Sequence, residues 1–325
     1  MPEFDIAGFD IVGIGLNATD TVIKVPHFPA YGGKVPFHGE FTSAGGQVAS
    51  AIVACAKLGL KAKYIGAIGD DDRGRLQLES LRTAGINIDH VRHRPNCGTQ
   101  TAFIVIDEST GERTVFWSRP EGLKLTPEEI TPDQILCARL LHIDGHDTPA
   151  MEHAASIARA HNIPVTVDVD TIYAGFDRVL PHVDYLIASS EFPGRWTGID
   201  DPFEALETIR ARFNMKLAGM TLGAHGALTL TEDGFTYSPA FVVNCIDTTG
   251  AGDVFHGAFC YSVLQQMPLA EALDFANAMA ALNCTAAGAR GGIATLRDAQ
   301  HLIKTGSRRS QPEIANRALL AKAAV

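Results

Sequence analysis

A chain of 325 residues, 46% hydrophobic and 20% charged, can bury a large α/β core and has the balance of a water-soluble globular protein. Its formal charge of −10 argues against general binding to nucleic acid or to an anionic membrane, although a local site on an acidic protein can still be positive. The first fifteen residues show no basic segment followed by a long apolar run, so neither a signal peptide nor a membrane span is apparent, and a cytoplasmic location is expected.

Residues 9–16 read as a buried strand ending in glycines. Gly13 to Ala18 has the GxGxxA shape of a dinucleotide-binding turn, but that fingerprint needs a helix directly afterwards. Residues 19–26 are instead β-branched and closed by Pro26, which predicts a strand and disfavours a dehydrogenase. Turn-rich residues 29–41 follow as short strands standing off the main body. Ser43-Ala44-Gly45-Gly46 then opens a helix with Val48, Ile52 and Cys55 on one face and Gly59 at its end. Taken alone, that glycine pair serves close packing as well as it serves a ligand.

Residues 62–68 predict a strand, and Asp70, Asp71 and Asp72 lead into a helix over 73–84, where they cap its N-terminus in preference to holding a metal. Residues 100–107 and 113–117 form a hairpin turning at Glu108–Glu112, which with residues 20–41 makes a small sheet beside the main domain. From residue 139 the rhythm is regular: helices over 149–161 and 202–213 alternate with apolar strands, and a hairpin follows at 226–237. Such strands are parallel and covered on both faces, and ligands gather at their carboxyl ends, where Asp144, His146, Asp168 and Asp170 lie.

Residues 246–259 carry the strongest chemical signal. In Gly250-Ala251-Gly252-Asp253 small residues precede a helix, whose N-terminus offers unpaired N–H groups and the positive end of its dipole to an anion. A helix over 268–287, a glycine-rich turn at 288–292 and a short helix over 296–303 complete the pattern. The last twenty residues carry no recognisable chemistry. Six scattered cysteines without a CxxC pair (Cys55, Cys97, Cys137, Cys245, Cys260 and Cys284) read as reduced structural thiols.

Two glycine-rich helix starts, a carboxylate in the second and a βα body with extra hairpins make the sequence resemble the ribokinase-like (PfkB) carbohydrate kinases from about residue 10 to 303. Asp247-Thr248-Thr249-Gly250-Ala251-Gly252-Asp253 matches the family's C-terminal signature, and Gly45-Gly46 with Leu58-Gly59 and residues 64–71 its N-terminal one. The resemblance implies one three-layer α/β/α domain over 1–325, with a mostly parallel central sheet and a small β-sheet lid from about 20–41 and 100–118. It implies phosphoryl transfer from ATP to a sugar hydroxyl, with Asp253 as general base and Gly250, Ala251 and Gly252 as the anion hole.

By the same resemblance Asp20, Gly45, Gly46, Gln47, Ser50 and Asp144 belong to the sugar side, and Thr221, Gly223, Gly226 and Asn277 to the nucleotide side. Glu191 is linked to Mg2+, and Asp247 and Thr249 to a monovalent cation such as K+. His38, Arg119 and His146 complete an expected polar pocket. Gln47 and Ser50 stand where ribokinases carry lysine and asparagine, and Ala18 where they carry an asparagine, so ribose itself is not implied. The expected partners are a sugar, ATP and a second copy through the lid. The alternatives are a catalytically silent sugar- or nucleotide-binding regulator on the same fold, a nucleoside kinase, or a scaffold in which Asp253 only caps its helix; retention of Asp253 favours an enzyme.

Overall fold

The computed structural model describes residues 8–110 and 113–322. Gly111 and Glu112, expected at the hairpin turn, lie outside the described residues, as do the N-terminal residues 1–7 and the tail end 323–325. The main sheet has eight strands, ordered Gly234–Ser238, Ala227–Thr231, Leu217–Thr221, Tyr185–Ser189, Val165–Val169, Ala138–Asp144, Phe9–Ile14 and Ala62–Ile65. The last six run parallel, and the first two form the expected hairpin, antiparallel and at one edge of the sheet.

Side chains that alternate along each strand feed two different cores, which is why the strands read as continuous apolar runs. Ile11, Leu140, Ile187 and Leu217 pack with helices Gln47–Lys57, Ala251–Leu264 and Leu269–Asn283. Val12, Leu141, Leu186 and Ala188 face the opposite way, toward Thr148–Ala160 and Pro202–Phe213. Helices on both faces make the predicted α/β/α layering, and each large side chain buried fully contributes about 1.5–3 kcal/mol. No helix among the described residues is long and apolar enough to cross a membrane.

The second sheet has four strands, ordered His38–Gly45, Ala18–Val25, Thr101–Asp107 and Arg113–Ser118, the inner pair parallel and both outer pairs antiparallel. It is rooted in the main body at the places that matter. Phe9–Ile14 continues into Ala18–Val25 without the intervening helix that a dinucleotide-binding turn requires, and His38–Gly45 runs straight into helix Gln47–Lys57. That helix packs on Ala251–Leu264 across Gly257, where a Cβ would collide with the Ala51 carbonyl, and the Cys55 thiol donates to Gly257 O at 3.2 Å. The two glycine-led helices are therefore held side by side.

Three elements depart from expectation. The strand expected over 62–68 breaks at Gly66, which makes room for the Tyr64 hydroxyl, and continues as Ala67–Gly69 against Arg92–Arg94. The helix expected over 268–287 ends at Asn283, because the Cys284 carbonyl is taken by the amides of Ile246 and Asp247 at 2.7 and 3.3 Å. The tail is structured: Arg308–Arg309 pairs with Ala240–Phe241, Arg308 bridges Asp274 at 2.7 Å, and helix Pro312–Lys322 covers the edge strand Gly234–Ser238. Of the three aspartates at the start of helix Asp72–Thr83, Asp71 is the cap, accepting from Gly74 N at 2.9 Å. All six cysteines are free thiols; Cys245 is exposed, unlike the buried Cys55 and Cys260.

Candidate active site

Helix Ala251–Leu264 begins at Gly250, whose φ of 73° lies in the left-handed region that glycine adopts without strain. The turn before it is stitched from both sides. Asp247 accepts from Thr249 N through Oδ1 (2.8 Å) and from Gly288 N through Oδ2 (2.9 Å), while Asn283 Nδ2 donates to the carbonyls of Thr249 and Ala289, both at 3.2 Å. Both carboxylate oxygens of Asp247 thus order the loop directly. Thr249 Oγ1 lies 3.5 Å from Arg113 Nη1, which reaches over from the small sheet.

Asp253 sits in the first turn, half-buried. Lost solvation raises its carboxyl well above the ordinary range, and the carboxylates of Asp168 and Asp20 raise it further against the opposing Arg290 guanidinium. Beside it opens a cavity of about 580 Å3 lined by Gly250, Ala251, Gly252 and Asp253, by Gln47, and by Thr221, Gly223, Gly226 and Asn277. One wall therefore gathers all four residues expected on the nucleotide side. Thr221 ends its strand, Gly223 and Gly226 form the turn after it, and Asn277 is held by Ser238, donating from Nδ2 to Oγ at 2.8 Å.

The same cavity is lined by Asp168, Asp170 and His256, the last one turn beyond Asp253 on the helix. His256 Nε2 lies 3.2 Å from Asp168 Oδ1. Burial opposes ionisation of Asp168, but the imidazoles of His256, His142 and His146 outweigh it and hold the carboxyl below its usual range. Arg113, Cys245, Cys284 and Arg309 also line the cavity, so two of the cysteines and the tail contribute to its walls.

The residues expected on the sugar side, Gln47 apart, do not line this cavity. Asp20 lies buried against Gly45, and lost solvation, opposed by Arg290, pushes its carboxyl up to about 6. Gly46, at φ 96°, presses on the backbone of Asn17. Ser50 is fully buried, its hydroxyl taken by Arg290 Nε at 3.1 Å. Arg290 further donates to Ser80 Oγ (2.8 Å), the Gly45 carbonyl (2.7 Å) and Gln77 Oε1 (3.3 Å). Asp144 lies beneath the floor, accepting from Leu16 N at 2.6 Å and His146 N at 2.9 Å; burial pushes it up to about 7.

The wider polar pocket is not assembled as expected. His38 pairs with Glu108 on the outside of the small sheet at 3.2 Å, Arg119 with Asp147 at 2.6 Å, and His146 Nε2 with the Tyr173 hydroxyl at 2.9 Å. Glu191 faces a separate hollow, its side chain 74% exposed and 3.3 Å from Arg195. Sequence reasoning missed Arg290 and the Asp168–His256 contact. For His256 a signal existed, its i, i+3 spacing from Asp253 on one helix face.

A doubly covered parallel sheet, a small sheet rooted beside two glycine-led helices and a carboxylate at the mouth of the second define a ribokinase-like small-molecule kinase. The chain belongs to the pfkB family of carbohydrate kinases, whose family model matches residues 10–296, and it is an ATP-dependent carbohydrate kinase. An ATP-dependent ribose-1-phosphate kinase from Halopiger xanaduensis is 30% identical over 276 residues, covering 83% of this chain and 90% of that protein. A ribokinase from Haemophilus influenzae is 26% identical over 303 residues, or 90% of this chain and 97% of its own. Among solved structures, Arabidopsis thaliana ribokinase complexed with ribose and ATP shares the fold with a TM-score of 0.75 at 23% identity, over 91% of this chain and 99% of that one.

Proposed function

We propose that this chain, as one domain, transfers the terminal phosphoryl group of ATP to a hydroxyl of a sugar or sugar derivative, with Asp253 as general base and the backbone at Gly250, Ala251 and Gly252 as the anion hole. The observation that carries this reading is the single cavity shared by Asp253, that helix mouth and Thr221, Gly223, Gly226 and Asn277. Asp253 takes the proton of the acceptor hydroxyl as its oxygen attacks the γ-phosphorus; the bond to the bridging oxygen breaks, and ADP leaves. A carboxyl raised by lost solvation is a stronger base than an ordinary aspartate, which suits an alcohol. Charge growing on the transferred oxygens meets the helix N-terminus, where backbone N–H groups lack partners within the helix. Magnesium bound with ATP supplies neutralisation of the phosphates, and Asp168 and Asp170, on the cavity wall, are oxygen donors of the kind it prefers. His256 fixes the Asp168 carboxylate.

The names of the relatives support ribose, ribose 1-phosphate or fructose as the kind of acceptor. The test is ADP release measured with ribose, ribose 1-phosphate, fructose, sugar acids and nucleosides, beside an Asp253→Asn variant. Turnover of the best acceptor is expected to fall by about 10²–10⁴-fold in the variant, with ATP binding kept. Equal turnover would refute the role of Asp253, and ADP release no faster with any acceptor than without would refute the acceptor class. A potassium requirement at Asp247 and Thr249 is read by replacing K+ with tetramethylammonium; unchanged rates would remove it.

A homodimer through the small sheet is part of the same reading. Its outer strand Arg113–Ser118 is an unpaired edge, exposed along its length, and it carries Phe116 and Trp117 at 55% and 63% exposure. A second copy covers such an edge.

A further inference from the structure

Arg290 stands out because its guanidinium is fixed at four points and, among the described residues, by no carboxylate. Its acceptors are neutral: Ser50 Oγ, Ser80 Oγ, the Gly45 carbonyl and Gln77 Oε1. They come from three elements, the end of strand His38–Gly45, helix Gln47–Lys57 and helix Asp72–Thr83. Gln77 extends the set by donating from Nε2 to the Ala18 carbonyl and, at 3.4 Å, to Thr19 Oγ1, next to Asp20. On its other side Arg290 follows Ala289, whose backbone abuts Gly250 and whose carbonyl is held by Asn283. One side chain thus spans from the anion-hole turn to the floor beneath Asp20.

We propose that Arg290 is a positioning residue for the transfer reaction: it sets the Gly45 floor and Asp20 against Asp253, and its charge offsets part of the repulsion between the two carboxylates. This rests on the assignment of Asp253 as the base. Burial most disfavours ionisation of Asp253; Asp168, Asp20 and Asp170 add to it, and Arg290 opposes them. Asp20 is likewise favoured by Arg290 and Arg113 and disfavoured by Asp247. Asp253 and Asp20 in turn favour the charged arginine against its loss of solvation. Arg290 is thus the cation that appears in both balances, favouring ionisation of each acid.

The test compares Arg290→Lys, which keeps the charge and loses the forked bonds, with Arg290→Gln, which loses the charge. The readouts are the pH profile of kcat/KM, the KM for sugar and for ATP, and the fraction folded by circular dichroism. In the glutamine variant the acidic limb of the profile is expected to move up by about 1 pH unit or more. In the lysine variant the limb is expected to stay, while the sugar KM rises at least tenfold and the ATP KM stays within twofold. Activity that falls only with the fraction folded, with limb and sugar KM unmoved, overturns the proposal. If the glutamine variant does not fold, the lysine variant decides: an unchanged sugar KM, or equal rises in both KM values, overturns it. Asp253→Asn measured in parallel separates the two readings. Wild-type turnover in that variant refutes the base, whereas a dead Asp253→Asn beside an unmoved Arg290→Gln profile refutes only the role of Arg290.

Discussion

Gly250 and Gly252 stand two residues apart, yet alanine at each is expected to fail in opposite ways. At Gly250 the φ of 73° is unfavourable for any residue with a Cβ, and that atom would collide with the backbone of Ala289. The neighbour cannot move aside cheaply: the Ala289 carbonyl accepts from Asn283, and the next amide back, Gly288 N, is bound to Asp247. Left-handed strain and overpacking together give a loss of about 2–5 kcal/mol for Gly250→Ala. At Gly252 an added Cβ meets nothing within 4 Å and the φ is ordinary, so stability is expected to hold or rise by up to about 1 kcal/mol. Gly252 lines the cavity beside Asp253, so on the proposed reading a methyl there crowds the phosphate, and kcat/KM for ATP should fall by roughly 10²-fold. Thermal melts and coupled ADP assays on the two variants decide the matter. Wild-type kcat/KM for ATP in Gly252→Ala would refute a phosphate at this helix mouth, and an unchanged melt in Gly250→Ala would refute the tight turn.

Asp20→Ala is expected to raise the KM for sugar far more than that for ATP, and equal effects would place Asp20 outside the sugar side. Phe116→Glu puts a charge on the outer strand of the small sheet and should yield monomers by light scattering; an unchanged mass would move the dimer contact elsewhere or deny it. Asp144 has its pKa raised from 3.8 to about 7, so the stability tied to its proton is complete below about pH 4 and lost as pH rises through about 7. Asp144→Asn removes that titration, so its melting temperature relative to wild type should climb between pH 4 and 8; a constant difference would count against the raised value.

Local signals were legible and long-range claims on side chains were not. The helix start at Gly250–Asp253, the edge hairpin at 227–238 and the missing helix after Gly13 follow from spacing and backbone preference within a dozen residues, and the structure has each in place. The glycine-rich turn 288–292 shows where this breaks down. The sequence presents Arg290 as a cation among small residues in a loop, which is ordinarily a solvated position, yet its partners lie 210 to 245 residues earlier in the chain. Asp144 and Ser50 show the converse. Each has the chemistry of a ligand contact, and the fold gives each a protein partner, two backbone amides for the first and Arg290 for the second. A polar residue at a strand or helix end is visible in sequence; whether its hydrogen bonds remain free for a substrate depends on partners that only the fold brings near. Arg290 joins these cases, since it occupies Ser50 Oγ and the Gly45 carbonyl through contacts that span most of the chain. The signature of the kinase family is thus local and readable, whereas the polar network around Gly45 and Ser50 is made by contacts between distant segments.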